Sequence, residues 1–384
     1  MANRFILNET SYFGAGAREN TATEIKARGL KKIMFVTDNC LIDCGVATKV
    51  MDNLKDAGID FEVFSDIKAN PTVANVQNGV AKFKEIGADG IVAVGGGSVM
   101  DTAKAVSIII ANPEFSDVVS LEGVADTKNN GVPMIALPTT SGTAAEVTIN
   151  YVITDEANKK KMVCVDPHDI PVVAIVDSDL MMGMPKGLCA STGMDALTHA
   201  IEGYITQGAW ELSDMVEIKA IELIAQSLYD SVNGDAKARE TMALAQYVAG
   251  MGFSNVGLGI VHSMAHPLGA FYDTPHGVAN ALLLPYILEY NAESPAKPKY
   301  RAIAKAMGVE GTDAMTEDEA VKAAIDAVRA LSVSIDIPQK LSEINVKEED
   351  LPELAVAAFN DVCTGGNPRP TSVEDILEIY KKAF

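Results

Sequence analysis

The sequence is poor in the residues that mark secreted and nucleic-acid-binding proteins. It has 5 cysteines in 384 residues, and no two of them form a C-x-x-C motif, so a disulfide framework is not indicated. Basic residues are also scarce: 31 Lys and Arg stand against 52 Asp and Glu, for a formal net charge of -21. Such a surface repels phosphate backbones and anionic lipid. We therefore expect no nucleic-acid partner, no membrane partner and a reducing, cytoplasmic location.

Long hydrophobic segments are absent or interrupted by polar residues. The start of the chain lacks the apolar region and cleavage site of a secretory signal. The longest uncharged stretch, residues 241–272, is long enough to cross a bilayer, but Gln246, Asn255, two histidines and several glycines lie within it. This polar content predicts a buried core that contains a site, rather than a membrane span.

Short β-branched runs alternate with helical spacing in the first half of the chain. Strands are predicted at residues 32–38, 61–64, 90–94, 133–137 and 172–177, with helices at 47–57 and 73–86. This alternation predicts an α/β domain with a parallel sheet covered by helices on both faces. After about Pro185 helix formers replace the Val and Ile runs, so the rest is predicted to be all-α. The predicted domains are 1–183 and 184–384.

A glycine-rich segment, Gly95-Gly96-Gly97-Ser98, follows one predicted strand and opens a helix. Backbone without side chains lets an anion approach closely, and a helix N-terminus offers free N–H groups and a favourable dipole. Ser98 is predicted to cap the helix, with Asp101 completing a capping box. A pyrophosphate fits this loop, although Met100 replaces the last glycine of the G-x-G-x-x-G fingerprint. A tight turn that only caps a helix is the alternative.

Two more polar segments follow predicted strands. Asp38 ends the first strand, where an acid accepts ribose hydroxyls and repels a 2′-phosphate, which favours NAD over NADP. A strand-end turn or a helix cap is the alternative for Asp38. Residues 138–143 form a polar loop after the fourth strand. Because ligands of open α/β sheets bind at the carboxyl ends of the strands, these segments together predict a dinucleotide site.

Four of the five histidines lie in the predicted helical half. Asp195 and His199 are spaced to share one face of a helix, so both side chains can bind one metal ion. His262, His266 and His276 fall within fifteen residues. Singly, each is more often a solvated or core residue, but three imidazoles and one carboxylate together suit a divalent first-row metal.

The surroundings of three histidines predict local structure. Pro267 directly follows His266, so a helix there is expected to begin, end or kink. His276 precedes Gly277 and is expected to lie in a loop. His168, in the turn sequence Asp-Pro-His-Asp, is interpreted as structural.

Longer motifs around these residues resemble those of the iron-dependent (group III) alcohol dehydrogenases, over essentially the whole chain. The similar segments are residues 95–101, 138–147, 193–202, 262–270 and 275–277. The resemblance implies a nucleotide-binding domain, an iron-binding domain with the active site in the cleft between them, and a homodimer. It implies NAD(H) and Fe²⁺ as cofactors, with Zn²⁺ as a substitute.

The resemblance also implies roles for individual residues. Asp195, His199, His262 and His276 match the Fe²⁺ ligands, and His266 matches a histidine beside the nicotinamide that helps to relay a proton. The positions matching the NAD(H) site are Asp38, Asn70, Gly96, Gly97, Ser98, Thr139, Thr140, Thr143, Asn150, Lys161 and Leu180. The positions matching the substrate pocket are Asn150, Val152, Phe253 and Cys363.

Three segments narrow the expected substrate. Residues 150–155, 163–171 and 361–369 look like those of family members that interconvert L-lactaldehyde and L-1,2-propanediol. The nearest alternatives are other group III enzymes acting on 1,3-propanediol, butanol, ethanol or glycerol. From other classes, a metal-dependent hydrolase would bind no NADH, and a nucleotide-binding regulator would leave the clustered histidines unexplained.

Overall fold

Two compact units divide the chain, Met1–Gly183 and Met184–Phe384. The structure, a computed structural model, describes residues 2–158 and 160–384. The strands of the first unit are β1 (Thr10–Phe13), β2 (Lys32–Val36), β3 (Asp60–Phe64), β4 (Gly90–Gly95), β5 (Met134–Pro138), β6 (Asn150–Asp155), β7 (Lys160–Val165) and β8 (Val173–Val176). Its α-helices are α1 (Thr21–Ala27), α2 (Asn39–Asp43), α3 (Val46–Asp56), α4 (Val73–Ile86) and α5 (Gly97–Ala111).

The main sheet of the first unit is parallel. Its strand order within the described residues is β1-β8-β5-β4-β2-β3. The order reverses at β2, which pairs with β3 on one side and with β4 on the other. Such a reversal opens a crevice at the carboxyl ends of the two strands between which it occurs. The predicted parallel sheet is confirmed, and its switch point lies between β2 and β4.

Side chains along β2 alternate between two hydrophobic cores. Ile33 and Phe35 enter the core that contains residues of α1 and α3, whereas Met34 and Val36 enter the core that contains residues of α4 and α5. All four side chains are 0% exposed. A strand covered on both faces has to be apolar at every position, which explains the continuous hydrophobic runs in the sequence.

Three strands lie outside the sequence prediction. β1 is a short edge strand that pairs only with β8 among the described residues, and its Phe13 is 47% exposed. β6 and β7 form an antiparallel hairpin that places Tyr151 and Ile153 in the core beside α5. Strands β1 and β6 lack a continuous apolar run because neither buries both faces, whereas β7 buries three consecutive residues, Met162–Cys164, after two lysines.

The predicted capping box at the start of α5 is wrong. The residue that caps the helix is Gly96, which has no side chain to accept from the first turn. The Ser98 hydroxyl instead donates to the Ala69 carbonyl, and Asp101 Oδ2 accepts from the backbone N–H of Val152 at 3.1 Å. Tertiary contacts take both side chains, which leaves the N-terminus of α5 without a side-chain cap.

The second unit is built from helices, and no strand follows β8 in the part of the chain that the structure describes. They are α6 (Lys186–Ile205), α7 (Glu211–Val232), α8 (Ala236–Val256), α9 (Ile260–Tyr272), α10 (His276–Asn291), α11 (Tyr300–Ala306), α12 (Glu317–Ser334), α13 (Leu351–Phe359) and α14 (Val373–Ala383). The predicted all-helical second half is confirmed.

One local prediction in this unit is corrected and another is narrowed. Pro267 lies inside α9, so of the three predicted outcomes a helix that begins or ends there is excluded. His276 is the first residue of α10 rather than a loop residue, since the extended Pro275 directly precedes the helix.

The length and hydropathy of the helices bear on whether one could span a bilayer. Among the described residues, no single helix is long and apolar enough to cross a membrane. The pair Ala236–Val256 and Ile260–Tyr272 reaches that length and composition only when combined, and the two helices are bent by 102°.

Contact between α6 and α7 generates a stability prediction. A methyl group on Gly193 would lie 2.1 Å from Cδ1 of the fully buried Leu228. We expect Gly193→Ala to lower the free energy of unfolding by about 1–3 kcal/mol, as overpacking does. The matched control is Gly187→Ala on the same helix, where an added methyl meets nothing within 4 Å. Urea unfolding checks both variants, and equal stabilities would contradict the packing described.

Candidate metal centre and nucleotide-binding loops

Three helices of the second unit bring one carboxylate and three imidazoles together. Asp195 and His199 lie one turn apart on α6, His262 lies on α9, and His276 begins α10. One potential ligand atom of each lies within 4.8 Å of the others. Asp195, His199 and His262 are buried, and His276 is half-buried. This is a donor set that suits a first-row divalent metal.

The ring of His262 is held by a buried acid. His262 Nδ1 lies 2.6 Å from Oε2 of Glu202, and Glu202 Oε1 accepts the backbone N–H of Val261 at 2.8 Å. Burial, followed by the neighbouring histidines, holds the pKa of His262 well below 6.5. Burial raises the pKa of Glu202 to about 8, against the hydrogen bonds from backbone N–H groups. His262 is therefore neutral at pH 7, which is the form that binds a metal ion.

The side-chain amide of Asn280 lies among the potential ligand atoms of this cluster. Its Nδ2 lies 2.7 Å from Asp195 Oδ1, 3.1 Å from His262 Nε2 and 3.0 Å from His276 Nε2. An amide NH₂ only donates and has two hydrogens, so it can serve two of these three atoms at a time, and their lone pairs face a common neighbourhood. The buried Asn280 Oδ1 meets no hydrogen-bond partner within the described residues. The residues present therefore fit a divalent metal ion.

Aromatic contacts surround the cluster. The ring of Phe253 stacks on His199 with centroids 4.1 Å apart and an interplanar angle of 10°. His266 stacks on His276 at 5.4 Å and 15°. Phe253, expected in the substrate pocket, therefore packs directly on one of the clustered imidazoles.

His266 has its own acidic partner. His266 Nδ1 lies 2.7 Å from Asp361 Oδ2, and Asp361 Oδ1 accepts the backbone N–H of Cys363 at 2.9 Å. Burial alone would raise the pKa of Asp361, but attraction to His266 and these hydrogen bonds hold it below its usual value. One carboxylate thus joins the expected proton-relay histidine to Cys363, an expected pocket residue.

In the first unit, the glycine loop lies against the threonine loop. A methyl group on Gly97 would meet Cγ2 of Thr143 at 2.9 Å, and one on Gly96 would meet Thr140 at 3.2 Å. The backbone N–H of Thr139 donates to the Gly95 carbonyl at 3.0 Å. Five expected NAD(H) residues are therefore adjacent at the carboxyl ends of β4 and β5.

Asp38 follows β2, on the other side of the switch point. Its Oδ1 accepts the backbone N–H of Leu41 at 2.9 Å and so caps α2. Asp38 is therefore a helix cap, and the cap uses one of its two carboxylate oxygens.

The remaining expected residues of the first unit lie close to these loops. Lys161 Nζ donates to Asn70 Oδ1, next to the Ala69 carbonyl that Ser98 contacts. The fully buried Lys104 donates to the Asn150 carbonyl at 3.0 Å and so fixes the start of β6.

Two further expected residues of this unit are held by backbone hydrogen bonds. Val152 is joined to α5 through its backbone N–H, which donates to Asp101. Leu180 is buried in the turn after β8, where its N–H donates to the Asp177 carbonyl at 3.0 Å.

His168 has a structural environment, as interpreted. Its Nδ1 lies 2.8 Å from the Thr127 hydroxyl and 3.3 Å from Asp166 Oδ1. A nucleophile–histidine–acid relay needs the hydroxyl and the acid on opposite ring nitrogens. Here both partners share Nδ1, so the group ties two loops together.

Comparison with known proteins agrees with this geometry. The family model "Iron-containing alcohol dehydrogenase" matches residues 8–178, and the C-terminal model of the Fe-containing alcohol dehydrogenase family matches residues 189–384. The chain belongs to the iron-containing alcohol dehydrogenase family. Membership makes it an oxidoreductase, and the predicted family resemblance is confirmed.

Individual relatives refine this position. The chain is 57% identical over 384 residues to lactaldehyde reductase from Escherichia coli (strain K12), covering 100% of both chains. A crystal structure of 1,3-propanediol oxidoreductase has a TM-score of 0.96 at 39% identity, with 100% of both chains covered. Sulfoacetaldehyde reductase from Bifidobacterium kashiwanohense, solved in complex with NAD⁺, has a TM-score of 0.88 at 29% identity, covering 100% of this chain and 99% of that one. These structures confirm the fold class, and the family supports iron and NAD(H) as cofactors.

Sequence reasoning missed the partners of the histidines. Glu202 had a local signal, because it lies one helical turn after His199. Asn280 likewise lies one turn after His276 on α10. Asp361 had none, since it is 95 residues from His266 in the chain.

The cluster predicts stabilisation by metal. Fe²⁺ at about 100 times its Kd should stabilise the folded chain by about 2.7 kcal/mol, because the ion binds the native state. His199→Ala should remove this increment, and His168→Ala, outside the cluster, should keep it. Anaerobic thermal unfolding with Fe²⁺ or with a chelator measures the increment. An increment that survives in His199→Ala would contradict the site.

Proposed function

We propose that the chain is an Fe²⁺-dependent, NAD(H)-linked enzyme that interconverts L-lactaldehyde and L-1,2-propanediol. The convergence of Asp195, His199, His262 and His276 is the observation that carries the chemistry. The substrate assignment rests on the full-length similarity to the Escherichia coli lactaldehyde reductase. Nearby, Phe253 and Cys363 would form part of the wall of the substrate pocket.

The residues divide the chemical work. When bound, the ion supplies Lewis-acid polarisation of the carbonyl oxygen and NADH supplies the hydride. Three neutral imidazoles and one carboxylate leave a divalent site with net positive charge, which favours a developing alkoxide. Zn²⁺ is a substitute that the affinity series favours over Fe²⁺, so availability decides which ion is bound.

Proton delivery falls to His266. Asp361 accepts at Nδ1 of His266, which leaves Nε2 as the ring nitrogen that faces away from the acid. A proton held there can pass to the alkoxide oxygen, directly or through ribose hydroxyls or water. His266 is therefore proposed as the catalytic acid of the reduction and the base of the oxidation.

The nucleotide site is proposed at the switch point of the first unit. The uncapped N-terminus of α5, with Gly96, Gly97 and Ser98, is suited to the pyrophosphate. Thr139, Thr140 and Thr143 line the same loop region, and Asn70, Asn150, Lys161 and Leu180 complete the proposed set.

The proposal extends to the oligomeric state, the cellular location and the pathway. The working form is a homodimer, as the family resemblance implies. The location is cytoplasmic, and the pathway is the breakdown of fucose or rhamnose. A 1,3-propanediol dehydrogenase is the second candidate, because the solved oxidoreductase for that diol has the same fold over the whole chain.

The first test is NADH oxidation. Protein purified without oxygen and loaded with Fe²⁺ should oxidise NADH with L-lactaldehyde, and His262→Ala should lose most of this activity together with its bound iron. Turnover with 3-hydroxypropanal but not lactaldehyde would favour the 1,3-propanediol candidate. No turnover with any aldehyde, despite measured iron, would refute the dehydrogenase assignment.

A second test concerns cofactor choice. Asp38→Gly removes the charge that would repel a 2′-phosphate, so the KM for NADPH should fall by at least about tenfold. Asp38→Asn also removes the charge, but asparagine can still cap α2. This variant therefore separates the effect of the charge on cofactor choice from the effect of losing the helix cap. Steady-state kinetics with NADH and NADPH measure both variants. Unchanged cofactor preference in both would contradict the placement of the ribose at Asp38.

A further inference from the structure

We propose that Glu202 is a positioning residue that selects the tautomer of His262 and so turns the lone pair of Nε2 toward the metal. The inference deepens the function proposed above, since it rests on His262 as a metal ligand. The tautomer itself, however, is a property of the metal-free chain and is measurable without activity.

Geometry fixes what Glu202 does. It lies on α6, one turn after His199, and is 2% exposed. Its Oε2 is 2.6 Å from His262 Nδ1, its Oε1 accepts from Val261 N at 2.8 Å, and Oε2 lies 3.4 Å from His262 N. Backbone N–H groups only donate, so the carboxyl group acts as an acceptor at the start of α9. Burial favours keeping one proton on this buried pair, and if the carboxylate also accepts from the ring, that proton lies on Nδ1 rather than on Oε2.

The opposite edge of the ring gives independent support. Asn280 Nδ2 donates toward His262 Nε2 at 3.1 Å, so Nε2 acts as an acceptor. The orientation of this amide is set by Asp195 Oδ1 at 2.7 Å, because a carboxylate accepts from NH₂ and repels an amide oxygen. Both edges of the ring therefore indicate the same tautomer, with Nδ1 protonated and Nε2 free to bind an ion.

The chain is shaped to admit this acid. Helix α9 begins after Gly259, which offers no side-chain cap. A methyl group on Gly259 would lie 2.8 Å from Glu202 Oε1. Glu202 therefore caps α9 from another helix. The same carboxylate holds the start of α9 and orients the ring of His262. Ligand histidines in metal sites commonly hold such a partner, which sets ring orientation and basicity.

Replacement by glutamine reverses the polarity at Nδ1. In Glu202→Gln the amide oxygen can still accept from Val261, so the NH₂ group faces His262 Nδ1. The ring then accepts at Nδ1 and carries its proton on Nε2, where the metal would bind. Loss of such a partner typically weakens metal affinity about 10–100-fold.

The experiment measures the tautomer and the metal affinity separately. Nitrogen-15 NMR of metal-free, histidine-labelled protein should show His262 protonated at Nδ1 in the wild type and at Nε2 in Glu202→Gln. Competition with a chelator should show Fe²⁺ and Zn²⁺ bound about 10–100-fold more weakly by the variant. The matched control is Glu217→Gln, another fully buried acid of the helical unit, whose carboxylate lies against Gly203 and Gly252. It should keep the wild-type tautomer and affinity.

Either of two results would overturn the proposal: wild-type His262 protonated at Nε2, or a folded Glu202→Gln variant with wild-type tautomer and affinity. The wild-type spectrum decides the matter even if the variant does not fold. A shifted tautomer and weaker binding, in a protein that never reduces lactaldehyde, would support this inference while refuting the proposed substrate.

Discussion

Holding a carboxylate and three imidazoles within 4.8 Å of one another in a protein interior is the constraint on which the helical unit depends. Buried polar groups cost free energy unless each finds a partner. Here the partners come from residues outside the cluster: Glu202 at His262 and Asn280 at Asp195. These partners lie on the same helices as the clustered residues. The packing of α6, α9 and α10 therefore also sets the orientation of the lone pairs.

The first unit meets a different constraint, the close packing of one loop on the bare backbone of another. Its sheet reverses order between β2 and β4, and the loops that follow these strands carry Asp38 and the glycine segment. Thr140 and Thr143 pack where side chains on Gly96 and Gly97 would otherwise stand. Glycine at positions 96 and 97 leaves room for the neighbouring threonine loop, and Gly96 also leaves the N-terminus of α5 without a side-chain cap.

Sequence reasoning succeeded where structure is governed by local periodicity. The helix predicted at 73–86 is α4 to the residue, and the five predicted strands are all present. It failed where distant contacts compete with local chemistry. Ser98 and Asp101 have the spacing of a capping box, yet Ala69 and Val152 take their hydrogen bonds. The edge strand β1 and strand β6 bury one face at most, so their sequences lack the continuous apolar run of a central strand.

Apolar periodicity and residue spacing, which the sequence holds by itself, determined the α/β and all-helical halves, the glycine loop and the identity of the clustered carboxylate and histidines. The helices, strands and glycine loop depend on neighbours within a few turns of the chain, and the clustered residues were identified by their types and local spacing. Tertiary structure alone decided which nitrogen of His262 and of His266 is held, and by which acid. Glu202 is 60 residues from His262, and Asp361 is 95 residues from His266. Hydrogen-bond partners at such separations are chosen by helix packing, which no local pattern encodes.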